Sequence, residues 1–233
     1  MHWYHKVAQN IFENQFGPIE KTKWLGLLPG YIERGQSSLV EMVRHFMNSS
    51  KSSENFFMHD YEGLNKIIDS SSDNLIVIGV THAILDWLEG EFRPNPQSSF
   101  TIIETGGMKG HGREPIRKEV HERIRAILPN VKILSEYGMT ELNSQAYSVD
   151  GKYFTPPIWM RISIVDTADP MTEVDKGRTG RVQIIDLANI DSCAFISTSD
   201  LGRMEAKIDS NRFEILGRFD HSEVRGCNLL SVK

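Results

Sequence analysis

The run Leu75–Val80, LIVIGV, is uninterrupted by any polar residue, lies between the polar DSSSDN and the helix-patterned THAILDWLEGEF, and constrains the fold more than any other stretch. A short apolar run without alternation reads as a strand buried on both faces, which is the signature of a parallel sheet covered by helices. Ile84, Leu85 and Leu88 in the following segment suit a helix behind that strand. The pattern then repeats. Phe100–Ile103 is a second strand, ETGGMKGHG a glycine-rich loop, and Pro115 suits the first turn of a helix. Ile116, Val120, Ile124 and Ile127 continue that helix, and Val131–Leu134 is the next strand. Upstream, Trp24–Leu28 reads as a strand ended by Pro29 and Gly30. Ser37 or Ser38 caps a helix with apolar positions at Leu39, Val40, Val43, Phe46 and Met47, and YEGLNKIID is a short helix between polar loops. This rhythm predicts an α/β chain with a mainly parallel sheet covered by helices. From about Trp159 the texture changes to RISIVD, GRVQIID, CAFIST and RFEILG, short strands divided by turns. The expected division is an α/β core over residues 1–158 and a small, mostly antiparallel β subdomain over 159–233.

Composition narrows the function. A net charge of −5 and a pI near 5.9 argue against nucleic-acid binding. No apolar run approaches the ~18 residues that span a bilayer, and MHWYHKVAQN is amphipathic without a signal-peptide core. Cys193 and Cys227 lack CxxC spacing and read as reduced thiols, so the expected location is cytoplasmic. Cys193, inside CAFI, is expected to be an inert core thiol.

In open parallel sheets, ligands bind beyond the carboxyl ends of the strands. Two loops leave such ends here, ETGGMKG and SEYGMTE. Gly106 and Gly107 remove side chains where a ring or ribose can approach the backbone. Tyr137 offers a stacking face. Thr140 offers a hydroxyl, and Glu141 offers a hard oxygen ligand suited to Mg²⁺. The alternatives are plain: a glycine pair is often only a turn, and Glu141 suits the first turn of a following helix. Asp200 in STSDLG and Arg218 in GRFD each follow a predicted strand. They suit ribose hydroxyls and phosphate oxygens, or else form a solvated ion pair on two β-turns.

Taken together, the motifs are more specific. YGMTE resembles the adenine-and-magnesium motif of the adenylate-forming superfamily of acyl-CoA synthetases, luciferases and adenylation domains. TSDLG resembles its ribose motif, with Ser199 where glycine is usual, and GRFDHSEVRG resembles its hinge motif. The longer phrases LLPGYIERGQSSLVEMV, IIETGGMKG, SEYGMTELNSQAYS, IIDLANIDSCAFISTSDLG and GRFDHSEVRGCNLL resemble the LuxE type of acyl-protein synthetase over nearly the whole chain. The resemblance implies ATP-dependent activation of a fatty acid as an acyl-adenylate, with transfer to a protein thiol. It implies ATP or AMP and Mg²⁺ as ligands, and an acyl-reductase or acyl-transferase protein as a partner. Tyr137 would stack on adenine beside Gly106 and Gly107, and Gly138 and Met139 would continue along the nucleotide. Thr140 would approach phosphate, Glu141 would hold Mg²⁺, Asp200 would take the ribose hydroxyls with Arg218 nearby, and Cys227 in RGCNLL would carry the acyl group.

The chain departs from the superfamily in two places. None of ERGQSSL, NSSKSSE or DSSSDN matches the SGTTG-like phosphate loop, so the chain is expected to begin after it, as a truncated product, a fragment or half of a split protein. It ends six residues after Cys227, without the full cap domain of most members, as LuxE-type proteins do. An acyl-CoA or aryl-CoA ligase, and a non-catalytic nucleotide- or acyl-binding remnant, are the competing readings.

Overall fold

The structure, a computed structural model, describes residues 2–29, 32, 37–50, 55–71, 74–106 and 116–218. The chain opens with helix α1 (His2–Phe16), followed by β1 (Lys23–Leu27), α2 (Ser38–Ser49), α3 (Tyr61–Ser70), β2 (Leu75–Gly79) and α4 (Thr81–Glu89). Next come β3 (Thr101–Glu104), α5 (Arg117–Ile127), β4 (Lys132–Tyr137) and β5 (Ala146–Ser148). The strands β1 to β5 lie side by side in chain order. The first four are parallel and β5 is antiparallel to β4. Every residue of β2 is buried, as expected of a strand covered on both faces. Ser37 caps α2 by accepting from the Val40 N–H, and Asp60 caps α3 by accepting from Gly63 at 2.9 Å.

The second sheet holds β6 (Met160–Val165), β7 (Gly180–Asp186), β8 (Phe195–Met204) and β9 (Phe213–Arg218), all antiparallel and in chain order. β7 alternates between fully and partly buried residues, so one face is packed and the other half-open. The fold class expected from the sequence is therefore the one observed.

Two apolar cores hold these layers. The larger joins the parallel sheet to its helices, with Phe12, Trp24 and Phe46 in ring contact at 4.9–5.6 Å. The smaller packs Ile162, Ile164, Val182, Ile184 and Phe213 of the antiparallel sheet against Tyr137, Leu142, Ala146 and Phe154. The end of the parallel sheet is thus built into the core of the antiparallel one, and the cleft between them is where a site can form. Among the described residues, no helix is long and apolar enough to cross a membrane.

Candidate nucleotide and acyl site

β4 runs three residues beyond its expected end at Leu134, because β5 returns to pair with it in the register Ser135↔Ser148, Glu136↔Tyr147 and Tyr137↔Ala146. Tyr137 is therefore the last residue of a strand rather than a loop residue. Residues 138–141 then form a turn, closed by the Leu142 N–H donating to the Met139 carbonyl at 3.1 Å. The alternative reading of Glu141 as an early-helix acid fails: Leu142 and Ala146 are drawn into the smaller core, and the chain folds straight back into β5. Gly138, Thr140 and Glu141 are exposed, and Met139 is half-buried.

Asp200 also lies inside a strand. β8 continues through it to Met204, with a register shift at Leu201/Gly202, and Asp200 stands directly opposite Arg218 of β9. The two-turn reading of SDLG is thereby overturned, because β9 supplies a partner along this stretch. The Tyr137 hydroxyl donates to Asp200 Oδ2 at 2.8 Å, and Arg218 Nε lies 3.6 Å from Asp200 Oδ1. Burial, followed by the adjacent Asp200 carboxylate, pushes the Tyr137 phenol well above its ordinary range, so it remains a donor. Its ring packs edge-on to Phe213 at 5.5 Å and tilted to Phe154 at 5.7 Å.

Gly106 has φ +74°, a conformation that disfavours any side chain, with nothing within 4 Å of where a Cβ would stand. Its N–H donates to Glu104 Oε1 at 2.6 Å and its carbonyl accepts from the Thr81 N–H at 3.1 Å. The turn from Tyr137 to Glu141, Gly106, Asp200 and Arg218 all line one cavity of about 1290 Å³ between the two sheets. Gly107 and Cys227 lie outside the described residues. Among the described residues, no group of three or more His, Cys, Asp or Glu side chains is set to hold a metal. A single exposed carboxylate, Glu141, fits Mg²⁺ that takes most of its ligands from phosphate and water.

Cys193 departs from expectation. It is exposed, its thiol donating to the Phe195 carbonyl at 3.2 Å. It lies two residues before β8 begins, and Phe195, the first residue of that strand, is itself 70% exposed.

Sequence reasoning missed the residues that hold the site together. The Asp186 carboxylate, fully buried at the end of β7, accepts four hydrogen bonds, from the N–H groups of Asn143, Ser144 and Ala188 and from the Ser144 hydroxyl. Asn189 accepts from the Asn143 N–H at 2.8 Å and donates to the carbonyls of Glu141 at 2.7 Å and Cys193 at 3.0 Å. These two residues tie the Glu141 turn to the antiparallel sheet. Their only signal was the phrase IIDLANID, the start of one of the LuxE-like stretches. Arg117, at the start of α5, also lines the cavity, with its guanidinium 4.3 Å above the Phe154 ring. It makes no salt bridge among the described residues, and burial lowers its pKa. Behind it, His121 is buried against Ser135 at 3.1 Å, and burial holds its pKa down to about 4.

The family model for "Acyl-protein synthetase, LuxE" matches residues 41–233. A comparison with curated proteins returns no match. Among solved structures, ATP-bound MatB from Rhodopseudomonas palustris superposes with a TM-score of 0.64 at 15% identity, covering 93% of this chain and 44% of MatB. The luciferase-like enzyme of the nonluminescent Zophobas morio mealworm gives 0.63 at 13% identity, covering 94% of this chain and 53% of its own. A long-chain-fatty-acid-CoA ligase, FadD1, from Archaeoglobus fulgidus gives 0.61 at 13%, with coverages of 94% and 48%. The chain spans about half the length of these structures, and what it shares with them is the fold.

Proposed function

This chain belongs to the LuxE acyl-protein synthetase family, and we propose that it activates a carboxylic acid of the fatty-acid class with ATP and passes the acyl group to a protein thiol. The observation that carries this reading is the meeting of Tyr137, Thr140, Glu141, Asp200 and Arg218 on one cavity from two different sheets. Adenine lies in the space bounded by Tyr137 and Gly106, with Gly138 and Met139 beside it. Asp200, already oriented by Tyr137, accepts from the ribose hydroxyls, and Arg218 lies at its flank. Thr140 donates to phosphate, and Arg117 is a cation that makes no salt bridge among the described residues. Glu141 is the protein ligand offered to Mg²⁺, which when bound neutralises charge on the departing pyrophosphate.

In the first step a carboxylate oxygen attacks the α-phosphorus, the bond to the bridging oxygen breaks, and pyrophosphate leaves with the electron pair. In the second a thiolate attacks the acyl carbon and AMP departs, leaving a thioester. We assign that thiol to Cys227. The acyl group then passes to a reductase or transferase partner.

The test incubates the full-length protein with ATP, Mg²⁺ and labelled fatty acid. Hydroxylamine-sensitive label should appear on the protein, vanish in Cys227→Ser and persist in Cys193→Ser. The exposure of Cys193 makes that second variant a necessary control. Label that survives in Cys227→Ser would overturn the carrier assignment and favour transfer to a small thiol such as coenzyme A.

A further inference from the structure

Three buried polar groups on one face of the parallel sheet have no partner among the described residues. Glu136 is 8% exposed and its carboxylate makes no hydrogen bond or ion pair. Gln145 Oε1 and the Tyr147 hydroxyl are also unsatisfied, in residues only 3% and 1% exposed. The strand register explains why they meet. Glu136 stands opposite Tyr147, so both project from the same face, and Gln145 lies two residues before Tyr147. A Cβ placed on Gly138 would collide with Glu136 Oε1 and stand 3.5 Å from Gln145 Cγ, so both side chains lie against the backbone of the turn.

Buried polar groups in folded proteins are nearly always paired, and an unmet one calls for an explanation. Here Glu136 and Gln145 border the cavity beside Tyr4, Ser38, Leu39 and Met42. The Tyr4 hydroxyl is already committed to the Ser38 carbonyl at 3.1 Å. Leu39 and Met42 offer an apolar wall, whereas Glu136 and Gln145 offer acceptor oxygens. Glu104, the nearest other acid, is occupied by the Thr81 hydroxyl and the Gly106 N–H. A plain alkyl chain laid here would leave two buried acceptors unmet, while a chain bearing a hydroxyl or ammonium group would satisfy them.

We propose that the acyl pocket of this chain takes a carboxylic acid whose chain carries a hydroxyl or amino group, hydrogen-bonded by Glu136 and Gln145. This rests on the reading of the cavity as an acyl-adenylate site, and it narrows the substrate class of that site. Glu136 and Gln145 are specificity determinants that touch the acyl chain remote from the reacting carboxylate. A site built to bond a polar substituent rejects the analogue that lacks it far more strongly than an apolar pocket rejects an extra methylene.

The experiment titrates the full-length chain, with and without AMP, with dodecanoate and with its hydroxy- and amino-substituted counterparts of equal length. The best substituted acid should bind at least about tenfold more tightly than dodecanoate. That preference should collapse in Glu136→Leu and Gln145→Leu and persist in part in Glu136→Gln, which keeps an acceptor oxygen. Melting curves confirm folding. Glu136→Leu should melt above the wild type in the absence of ligand, because it removes a buried carboxyl group with no hydrogen-bond partner among the described residues. Equal or tighter binding of dodecanoate, a preference unchanged in both leucine variants, or no binding of any acid would overturn the proposal. AMP affinity, read in the same titrations, separates the two ideas. Lost preference with AMP binding intact sinks only the polar pocket, and absent AMP binding with the preference intact sinks the adenylate reading.

Discussion

The two sheets meet the cavity in opposite ways. On the antiparallel side the carboxylates already have partners: Asp200 holds Tyr137 and Arg218, Glu214 holds Arg203 at 2.7 Å, and Asp186 holds four donors from behind. On the parallel side Glu136, Gln145 Oε1 and the Tyr147 hydroxyl have no hydrogen-bond partner and Arg117 no salt bridge among the described residues. Glu104 and Asp150 there are engaged, Glu104 by Thr81 and Gly106 and Asp150 by Ser148, Lys152, Tyr153 and Arg212. The antiparallel side is organised before a ligand arrives. The parallel side is left incomplete, which lowers its own stability and reserves its polar groups for what binds.

The largest expected effect tests the organised side. Asp186→Ala leaves the donors at Ser144 and Ala188 unmet and the Asn143 N–H held by Asn189 alone, and should cost on the order of 4 kcal/mol. For a chain of this size that is a fall of about 10 °C in melting temperature. A thermal scan showing a loss of only a degree or two would mean that the turn is held by something else. Next, Tyr137→Ala removes both a ring wall and the donor that orients Asp200. AMP affinity should drop about tenfold or more, given the ~1–3 kcal/mol of aromatic–base stacking, and equal affinities by calorimetry would remove Tyr137 from the nucleotide site.

The incomplete side has a pH signature. Burial, reinforced by Glu104, raises the Glu136 pKa from an ordinary 4.5 to about 8. The folded chain therefore keeps a proton that the unfolded chain has released. The stabilisation is whole below pH 4.5 and is lost as pH rises through 8. His121 acts in the opposite direction, because its pKa is lowered from 6.5 to about 4 and the unfolded chain binds its proton first. Its contribution is whole above pH 6.5 and is lost as pH falls toward 4, so the two oppose each other in the acid range. Between pH 6.5 and 8 Glu136 acts alone of the two. Stability should fall there by about 1–2 kcal/mol, from ~1.4 kcal/mol per unit of pKa difference. Denaturant titrations of Glu136→Gln should lose most of that slope, and an unchanged slope would show that Glu136 is ionised throughout.

The smallest effect on stability is expected at Glu141. Its side chain is exposed on a turn and makes no hydrogen bond among the described residues, so Glu141→Gln should shift folding by no more than about 0.5 kcal/mol. The same change should abolish magnesium-dependent acyl-adenylate formation. A variant that melts early but stays active would make Glu141 structural.

The sheet order was readable wherever a strand announced itself alone. LIVIGV and the helix behind it needed only local pattern, and the alternating strands after Trp159 likewise. Boundaries failed where a partner strand decided them. Nothing in SEYGMTE indicates that β5 would extend β4 to Tyr137, and nothing in TSDLG indicates that β9 would carry β8 through Asp200. The site shows the same division. Tyr137, Asp200 and Arg218 stood out as motif residues, whereas Asp186, Asn189 and Glu136 matter through contacts made as far as 48 positions away or through contacts they lack. Cys193 illustrates the converse, since an apolar neighbourhood in sequence is exposed in space.

The four bonds to Asp186 have a consequence for how the molecule opens. The amide hydrogens of Asn143 and Ser144 sit in a connection between strands, a place where exchange with solvent is ordinarily fast. Here they are locked to a carboxylate at the end of β7, so they exchange only when the antiparallel sheet itself comes apart. The turn bearing Thr140 and Glu141 thus belongs to the same cooperative unit as that sheet, and a disturbance on one is felt by the other as a shared opening rather than as local fraying.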